Sequence, residues 1–308
     1  MTSDLSTVLV DGPWQHRFVP ANAARFHVAL AGPDDRDAPL VVLLHGFPQF
    51  WWAWRHQITA LADAGYRVAA MDLRGTGGSD KPPQGYDVPT LAADVAGLVR
   101  SLGADRAVVV GHGTGGTVAW AMPALQPGVT RGVAALSCPH PVQLHAAVAR
   151  TLRPGPLRHL AFFQLPALPE RALAEGDRVD RVLREWSGPG WPDAATLATY
   201  RAAAQVPFAA HSAMEQLRWL VRSTPRADGR RYLAALQAPV TVPVLQLHGA
   251  ADRCLPVRTA RLTGGHTALA AGGYRFEVVP GAGHFLPEEA PDRVSELLGS
   301  WLREVAPL

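Results

Sequence analysis

The sequence predicts a doubly wound, mostly parallel α/β sheet with a helical lid inserted into it. Three observations support that class. Short apolar runs alternate with amphipathic stretches up to Leu136, the strand–helix–strand–helix order that builds a parallel sheet covered on both faces. His45, Asp72 and Gly113 each fall just after such a run, at the carboxyl ends of strands, where an open α/β sheet has its ligand crevice. After Cys138-Pro-His-Pro141 the texture changes: residues 142–225 hold helical stretches and proline breaks but no convincing strand, and strands resume at Val242.

Taken in order, Trp14–Val19 and Arg25–Leu30 read as two short strands joined by Pro20-Ala-Asn22 as a hairpin. Leu40–Leu44 is apolar without alternation, as a strand buried on both faces must be. Trp54–Ala64 reads as a helix stopped by Gly65, and Tyr66–Met71 as the next strand, opening into the glycine-rich loop Asp72–Ser79. Pro89–Leu102 is amphipathic and ends at Gly103; Arg106–Val110 is a strand, Thr114–Leu125 a helix, Gly132–Leu136 another strand. In the lid, Pro154, Pro156, Pro166 and Pro169 divide the first half, and Trp186-Ser-Gly-Pro-Gly-Trp191 sits in the middle. Val242–Leu247 and Tyr274–Val279 complete the strands, and Asp292–Val305 reads as a closing helix. The expected organisation is core 1–141, lid 142–225 and core 226–308.

A chain of 308 residues, 48% of them hydrophobic, is ample for one such domain with an insert. Net charge is +3, with 29 basic against 26 acidic residues. The arginines are scattered rather than gathered into a run, so no nucleic-acid partner is expected. Cys138 and Cys254 are too few for a disulfide framework and lack metal-ligand spacing. His140, His159 and His211 show no such spacing with carboxylates either. Neither metal nor cofactor is therefore expected. No stretch has the build of a secretory leader and no apolar run reaches membrane-spanning length. The reading is a soluble cytoplasmic protein away from membranes; the oligomeric state is left open, a homodimer included.

The chain is organised around Val108–Trp120, which reads as a buried strand, a glycine-bound turn and a helix. This is the context of a nucleophile elbow, G-x-Nuc-x-G, with Gly111 and Gly115 as its framing glycines. The nucleophile slot holds Gly113, which has no side chain to attack with. Gly116 lets the following helix pack closely on a neighbouring strand. The other two members of a hydrolytic triad follow in the usual order, Asp252 after one strand and His284 after the next. An Asp that accepts a His N–H fixes the tautomer and stabilises the imidazolium, and such a His can act as a base toward water without a nucleophilic side chain. The backbone N–H groups of Phe47 and Thr114 are the candidate oxyanion hole, with Pro48 stiffening the first loop. Trp51, Tyr200 and His112 are the candidate substrate-pocket residues. Trp51 and His112 also have structural readings, Trp51 as helix-start packing and His112 as packing beside the elbow. His45 reads as ordering its loop, Asp72 and Arg74 as holding theirs, and Glu288 and Glu289 as opening the last helix, where the dipole favours acids.

His45-Gly-Phe-Pro48 with Gln49–Arg55, Asp72-Leu-Arg-Gly-Thr-Gly-Gly-Ser-Asp80, Gly111-His112 with Gly115-Gly116, and Gly283–Glu288 together resemble the epoxide-hydrolase-like branch of the α/β-hydrolase fold family. The resemblance covers nearly the whole chain and implies an eight-stranded sheet and a small apolar substrate or ligand. It also implies an Asp nucleophile, usually followed by Trp, where this chain has Gly113-Thr114. It further implies two lid tyrosines that hydrogen-bond the epoxide oxygen. Between 140 and 225 only Tyr200 occurs, and Leu217-Arg218 stands where a Tyr-Arg pair is expected. Three functional expectations follow. The first is a hydrolase-like enzyme whose His284–Asp252 dyad acts as general base on water or on substrate. The second is a ligand-binding pseudoenzyme, and the third an epoxide hydrolase variant from which the nucleophile was removed.

Overall fold

In the computed structural model, which describes residues 5–145, 154–263 and 273–308, the apolar runs pair into one eight-stranded sheet. The strands are β1 (Gln15–Ala21), β2 (Ala24–Ala31), β3 (Leu40–Leu44), β4 (Arg67–Met71), β5 (Ala107–His112), β6 (Thr130–Leu136), β7 (Val244–Gly249) and β8 (Tyr274–Val279). Their spatial order is β1-β2-β4-β3-β5-β6-β7-β8. The β1–β2 hairpin and the β2–β4 pair are antiparallel, and every other pair is parallel. All eight strands lie where the sequence placed them, within a few residues at the ends.

The absence of alternation in β3 and β5 has a direct structural counterpart. Val41 and Leu43 of β3, with Val108 and Val110 of β5, pack into one core layer with Ile58 and Leu61 of helix α1 (Arg55–Asp63) and Leu297, Leu298 and Trp301 of the C-terminal helix Pro291–Val305. Their neighbours Leu40, Val42, Leu44, Ala107 and Val109 pack on the opposite face. There they meet Leu91 and Val95 of helix α2 (Val88–Ser101) and Val118 and Met122 of helix α3 (Gly113–Leu125). Period-2 side chains that find apolar partners on both faces make a continuous apolar run the stable choice. Helix α2 starts where the Asp87 side chain accepts the N–H of Thr90 at 2.8 Å, which satisfies one of the amide donors a helix leaves free at its start. Helix α1 is preceded by a 3₁₀ turn at Trp51–Trp54, so the helical path begins slightly earlier than the sequence pattern indicates.

Between β6 and β7 the described residues form helices and no strand: Pro154–Phe163, Leu168–Ala174, Arg178–Trp186, Ala194–Ala204, Ala209–Arg222 and Ala227–Ala235. Helix therefore continues past residue 225, and residues 146–153 of the expected lid lie outside the described part. No helix among the described residues is long and apolar enough to cross a membrane.

The parallel register carries the consequence for function. The residues following β3, β5, β7 and β8 (His45–Phe47, Gly113–Thr114, Ala250–Asp252 and Ala282–His284) emerge at the same edge of the sheet.

Candidate active site

The turn after β5 is built from what its glycines exclude. A Cβ on Gly111 would come within 2.2 Å of the Gly115 carbonyl oxygen, and one on Gly115 within 2.5 Å of the carbonyl oxygens of Leu44 and His45. One on Gly116 would meet the Cys138 side chain at 2.5 Å. These three positions hold glycine because backbone and core approach too closely for anything else. Gly113 differs. Its φ is +52°, in the left-handed region, between an extended His112 (φ −109°, ψ 137°) and the first turn of α3. A Cβ there would sit 3.5 Å from the Nε2 of His284 and 3.5 Å from the Gly46 Cα, both ordinary contact distances. The slot is open, and it faces the imidazole.

His284 and Asp252 come together as the sequence order suggests. His284 Nδ1 lies 3.0 Å from Asp252 Oδ2, and both residues are buried. The other carboxylate oxygen accepts the backbone N–H groups of Cys254 at 2.8 Å and Leu255 at 2.7 Å. Burial works to raise the Asp252 pKa, but His284, His248 and the Leu255 amide outweigh it, and the carboxyl is held below its usual range. A carboxylate on the Nδ1 side makes that nitrogen the donor, so in the neutral ring Nε2 presents a lone pair toward the slot.

Three groups fix the histidine loop, and sequence reasoning assigned none of them that role. Glu289 accepts the backbone N–H groups of Gly283 at 2.7 Å, Phe285 at 2.8 Å and Gly188 at 2.7 Å. His112, which burial lowers to a pKa of about 3, donates from Nε2 to the His284 carbonyl at 2.7 Å. His248, pushed down by burial, donates from Nε2 to the Leu255 carbonyl at 2.6 Å and lies 3.3 Å from Asp252 Oδ2. A histidine at the end of β7, four residues before the acid, was the available signal for the last of these.

Phe47 and Thr114 border the same space, and among the described residues neither backbone N–H has a protein acceptor. The Phe47 loop is anchored by His45. Burial lowers its pKa, and it donates from Nδ1 to the Gly46 carbonyl at 3.1 Å while Nε2 accepts the Leu73 N–H at 3.1 Å. Asp72 and Arg74 hold the next loop. Asp72 accepts from the Trp51 and Gly78 amides, each at 2.9 Å, and faces His27 at 2.8 Å, while Arg74 pairs with Asp94.

A cavity of about 330 Å³ opens over Gly113, Thr114 and His284. The helices between β6 and β7 wall it with Leu160, Phe163, Trp186 and Leu217. Leu217 thus lines the cavity, at the position where the resemblance leads one to expect a tyrosine. Arg218 turns away into ion pairs with Glu170 and Glu215. A larger groove of about 860 Å³ lies at the opposite edge of the sheet, against Leu40 and Arg67 at the starts of β3 and β4. It holds none of the candidate groups.

Three expected pocket residues do not line this cavity. Trp51 is fully buried, donates its indole N–H to the Val8 carbonyl at 2.8 Å and packs edge-on against Trp14. Tyr200 is fully buried against Phe50 and Trp52, and its hydroxyl bonds to Glu288. His112 lies beneath the elbow, spent on the His284 carbonyl. Glu288 and Glu289 also depart from the reading as acids that open the last helix. They end the short helix Leu286–Glu289, and their carboxylates turn inward, Glu288 to Arg55, Gln49 and Tyr200, Glu289 to the histidine loop.

Residues 39–291 match the α/β hydrolase fold family. The chain is 36% identical to the AB hydrolase superfamily protein YfhM of Bacillus subtilis, over 93% of this chain and 97% of that one. It is 33% identical to epoxide hydrolase A of Mycobacterium tuberculosis, over 93% and 96% respectively. The crystal structure of epoxide hydrolase A from Mycobacterium thermoresistibile superposes with a TM-score of 0.77 at 31% identity, covering 94% of this chain and 98% of that one. With the sheet order, the elbow and this likeness along nearly its whole length, the chain belongs to the α/β-hydrolase fold family, in the branch that resembles epoxide hydrolases.

Proposed function

We propose that this protein is a hydrolase-like enzyme that works without a covalent intermediate, with His284 and Asp252 as its base and the helices between β6 and β7 as its lid. The observation behind this reading is the open slot at Gly113, which leaves room for a water molecule within reach of His284 Nε2. His284 takes a proton from that water as the oxygen attacks an electrophilic carbon of a small apolar epoxide or activated ester. Asp252 stabilises the imidazolium that forms. The N–H groups of Phe47 and Thr114 receive the oxygen on which negative charge develops, and the imidazolium returns the proton to the departing oxygen. For an epoxide, one water is consumed and one diol released. Turnover is slow, because a missing nucleophile costs several orders of magnitude in rate.

A second reading, a ligand-binding protein without turnover, draws on the apolar lid wall. Leu217 supplies no donor to activate an epoxide oxygen.

The test compares the protein as it stands with His284→Ala and Gly113→Asp on a panel of epoxides and activated esters. Turnover abolished by His284→Ala supports the non-covalent enzyme. An inert protein in which Gly113→Asp alone restores epoxide opening refutes it, and shows machinery built for an aspartate that was lost or removed. Inertness of all three refutes it in favour of ligand binding.

A further inference from the structure

The cavity lining carries an imidazole nitrogen and two backbone N–H groups next to the Gly113 slot. His284 is 4% exposed, and its Nε2 has no protein partner while Nδ1 is committed to Asp252. The N–H groups of Phe47 and Thr114 lie beside it, the latter in the first turn of the thirteen-residue helix α3, whose positive dipole end favours an anion. Elsewhere in the lining several polar atoms are already used, while the buried Tyr232 hydroxyl and Trp186 indole N–H have no hydrogen-bond partner among the described residues. Thr117 donates its hydroxyl to the Thr114 carbonyl at 2.6 Å, and His145 and Thr224 bond each other at 3.1 Å. Burial raises the pKa values of the Cys138 and Cys254 thiols, which keeps both neutral. The rest of the lining is mainly apolar and includes Leu160, Phe163, Trp186, Leu217 and Leu220. The volume sits at the low end of the roughly 300–1,000 Å³ usual for small-ligand sites.

We propose that the Gly113 slot is a carboxyl-binding site and that the cavity takes small apolar monocarboxylic acids head first, the ligand's carboxyl group occupying the space of the side chain this elbow lacks. The inference rests on the reading of His284 and the two amides as the polar end of a ligand site, but not on any turnover there. One carboxylate oxygen takes the Phe47 and Thr114 N–H groups, and the other faces Nε2. Two facing lone pairs repel, so a carboxylate opposite Nε2 needs a proton between the two atoms, which couples binding of the anion to binding of a proton at this site. The titratable groups around His284 are consistent with this coupling. Asp252 is the carboxylate on its far side, and Glu289 braces its loop. His112, with ring centroids 5.1 Å apart, and His248 beyond Asp252 are held neutral by burial.

The test is titration calorimetry with octanoate and 4-phenylbutyrate against their methyl esters. It is run in two buffers of different ionisation enthalpy, on the full chain and on Gly113→Asp and His284→Gln. The acids are expected to bind at least about tenfold more tightly than the esters, as charge-assisted hydrogen bonds do against neutral ones, with proton uptake that grows as the pH is raised. Gly113→Asp, which fills the slot with its own carboxylate, lowers acid affinity about tenfold or more. His284→Gln removes both the proton uptake and the preference for acid over ester, and this holds as a test even if the aspartate variant does not fold. Equal affinity for acid and ester, or binding without proton uptake, overturns the proposal. The hydrolytic reading fails separately. Acid binding with no epoxide turnover refutes that reading alone, whereas His284-dependent turnover that octanoate does not inhibit refutes the carboxyl site alone.

Discussion

Glu289 accepts the backbone N–H of Gly283 at 2.7 Å, and through that bond one carboxylate holds the loop that presents His284. The same oxygen takes the N–H of Gly188 from the segment after helix Arg178–Trp186, and the other takes that of Phe285. Replacement by alanine leaves three amides without an acceptor. At about 1–3 kcal/mol for each buried group left unpaired, and with some relaxation of the loop, Glu289→Ala is expected to cost roughly 3 kcal/mol in urea unfolding, and Glu289→Gln less. Any His284-dependent activity should fall with it. A cost below about 1 kcal/mol would show that the loop is held by something else.

Glu288 sets a pH dependence of the opposite sign to that of an ordinary ion-paired acid. Its carboxylate is buried among Arg55, Gln49 and Tyr200, and burial, outweighing these partners, leaves its pKa above the usual carboxylate value. Between the unfolded value and the raised one, the folded state binds more protons than the unfolded state. Stability therefore falls as pH rises through that window. Glu289 is raised in the same direction, so Glu288→Gln should reduce the slope without abolishing it. Asp72 and Asp252 are lowered; their contributions are present above the unfolded value and are lost as pH falls through the folded value, in a more acid range. Urea midpoints measured from about pH 4 to pH 7 check this, and an unchanged slope in Glu288→Gln would count against it.

The elbow glycines should separate into two classes. Gly113→Ala meets no close neighbour and is expected to cost about 1–2 kcal/mol, the strain of a left-handed backbone for a residue with a Cβ. Gly115→Ala drives a methyl group to 2.5 Å from two carbonyl oxygens and should cost far more, or leave no folded protein. Thermal unfolding of the pair decides the point, and equal losses would mean that the slot is not open.

Cavity wall and buried aromatic should respond differently to truncation. Leu217→Ala removes part of the wall over Gly113, and about 2–4 kcal/mol of stability is expected to go with it, together with a shift toward bulkier ligands. Tyr200→Phe removes a hydroxyl bonded to Glu288 but touches no cavity atom. It should cost about 1 kcal/mol and leave ligand affinity within about twofold. Loss of binding in Tyr200→Phe would restore that tyrosine to the pocket.

What the sequence made legible follows from how local each signal is. Leu40–Leu44 and Ala107–Val110 announce buried strands because both of their faces are apolar, and the position of His284 and Asp252 after successive strands follows from chain order and parallel register. Residues whose role depends on side-chain direction were harder to read. Trp51 follows a loop that leads into the site, yet its ring turns away to Val8 and Trp14. Glu288 and Glu289 carry the composition of a helix start, but the helix is so short that both carboxylates reach inward to other segments. The lid wall of Leu160, Phe163, Trp186 and Leu217 is assembled from three helices whose mutual packing no periodicity specifies. Only Leu217 had a signal, its place beside Arg218 where the resemblance implied a tyrosine.

The open geometry at Gly113 also has a genetic consequence. Two of the four glycine codons become aspartate codons by changing one base, and a Cβ at this position meets its neighbours only at ordinary contact distances, the left-handed backbone being the strain it carries. A lineage carrying this fold could therefore gain or lose a carboxylate at this position in a single mutational step, with the elbow and the His284–Asp252 pair unchanged on either side of the change.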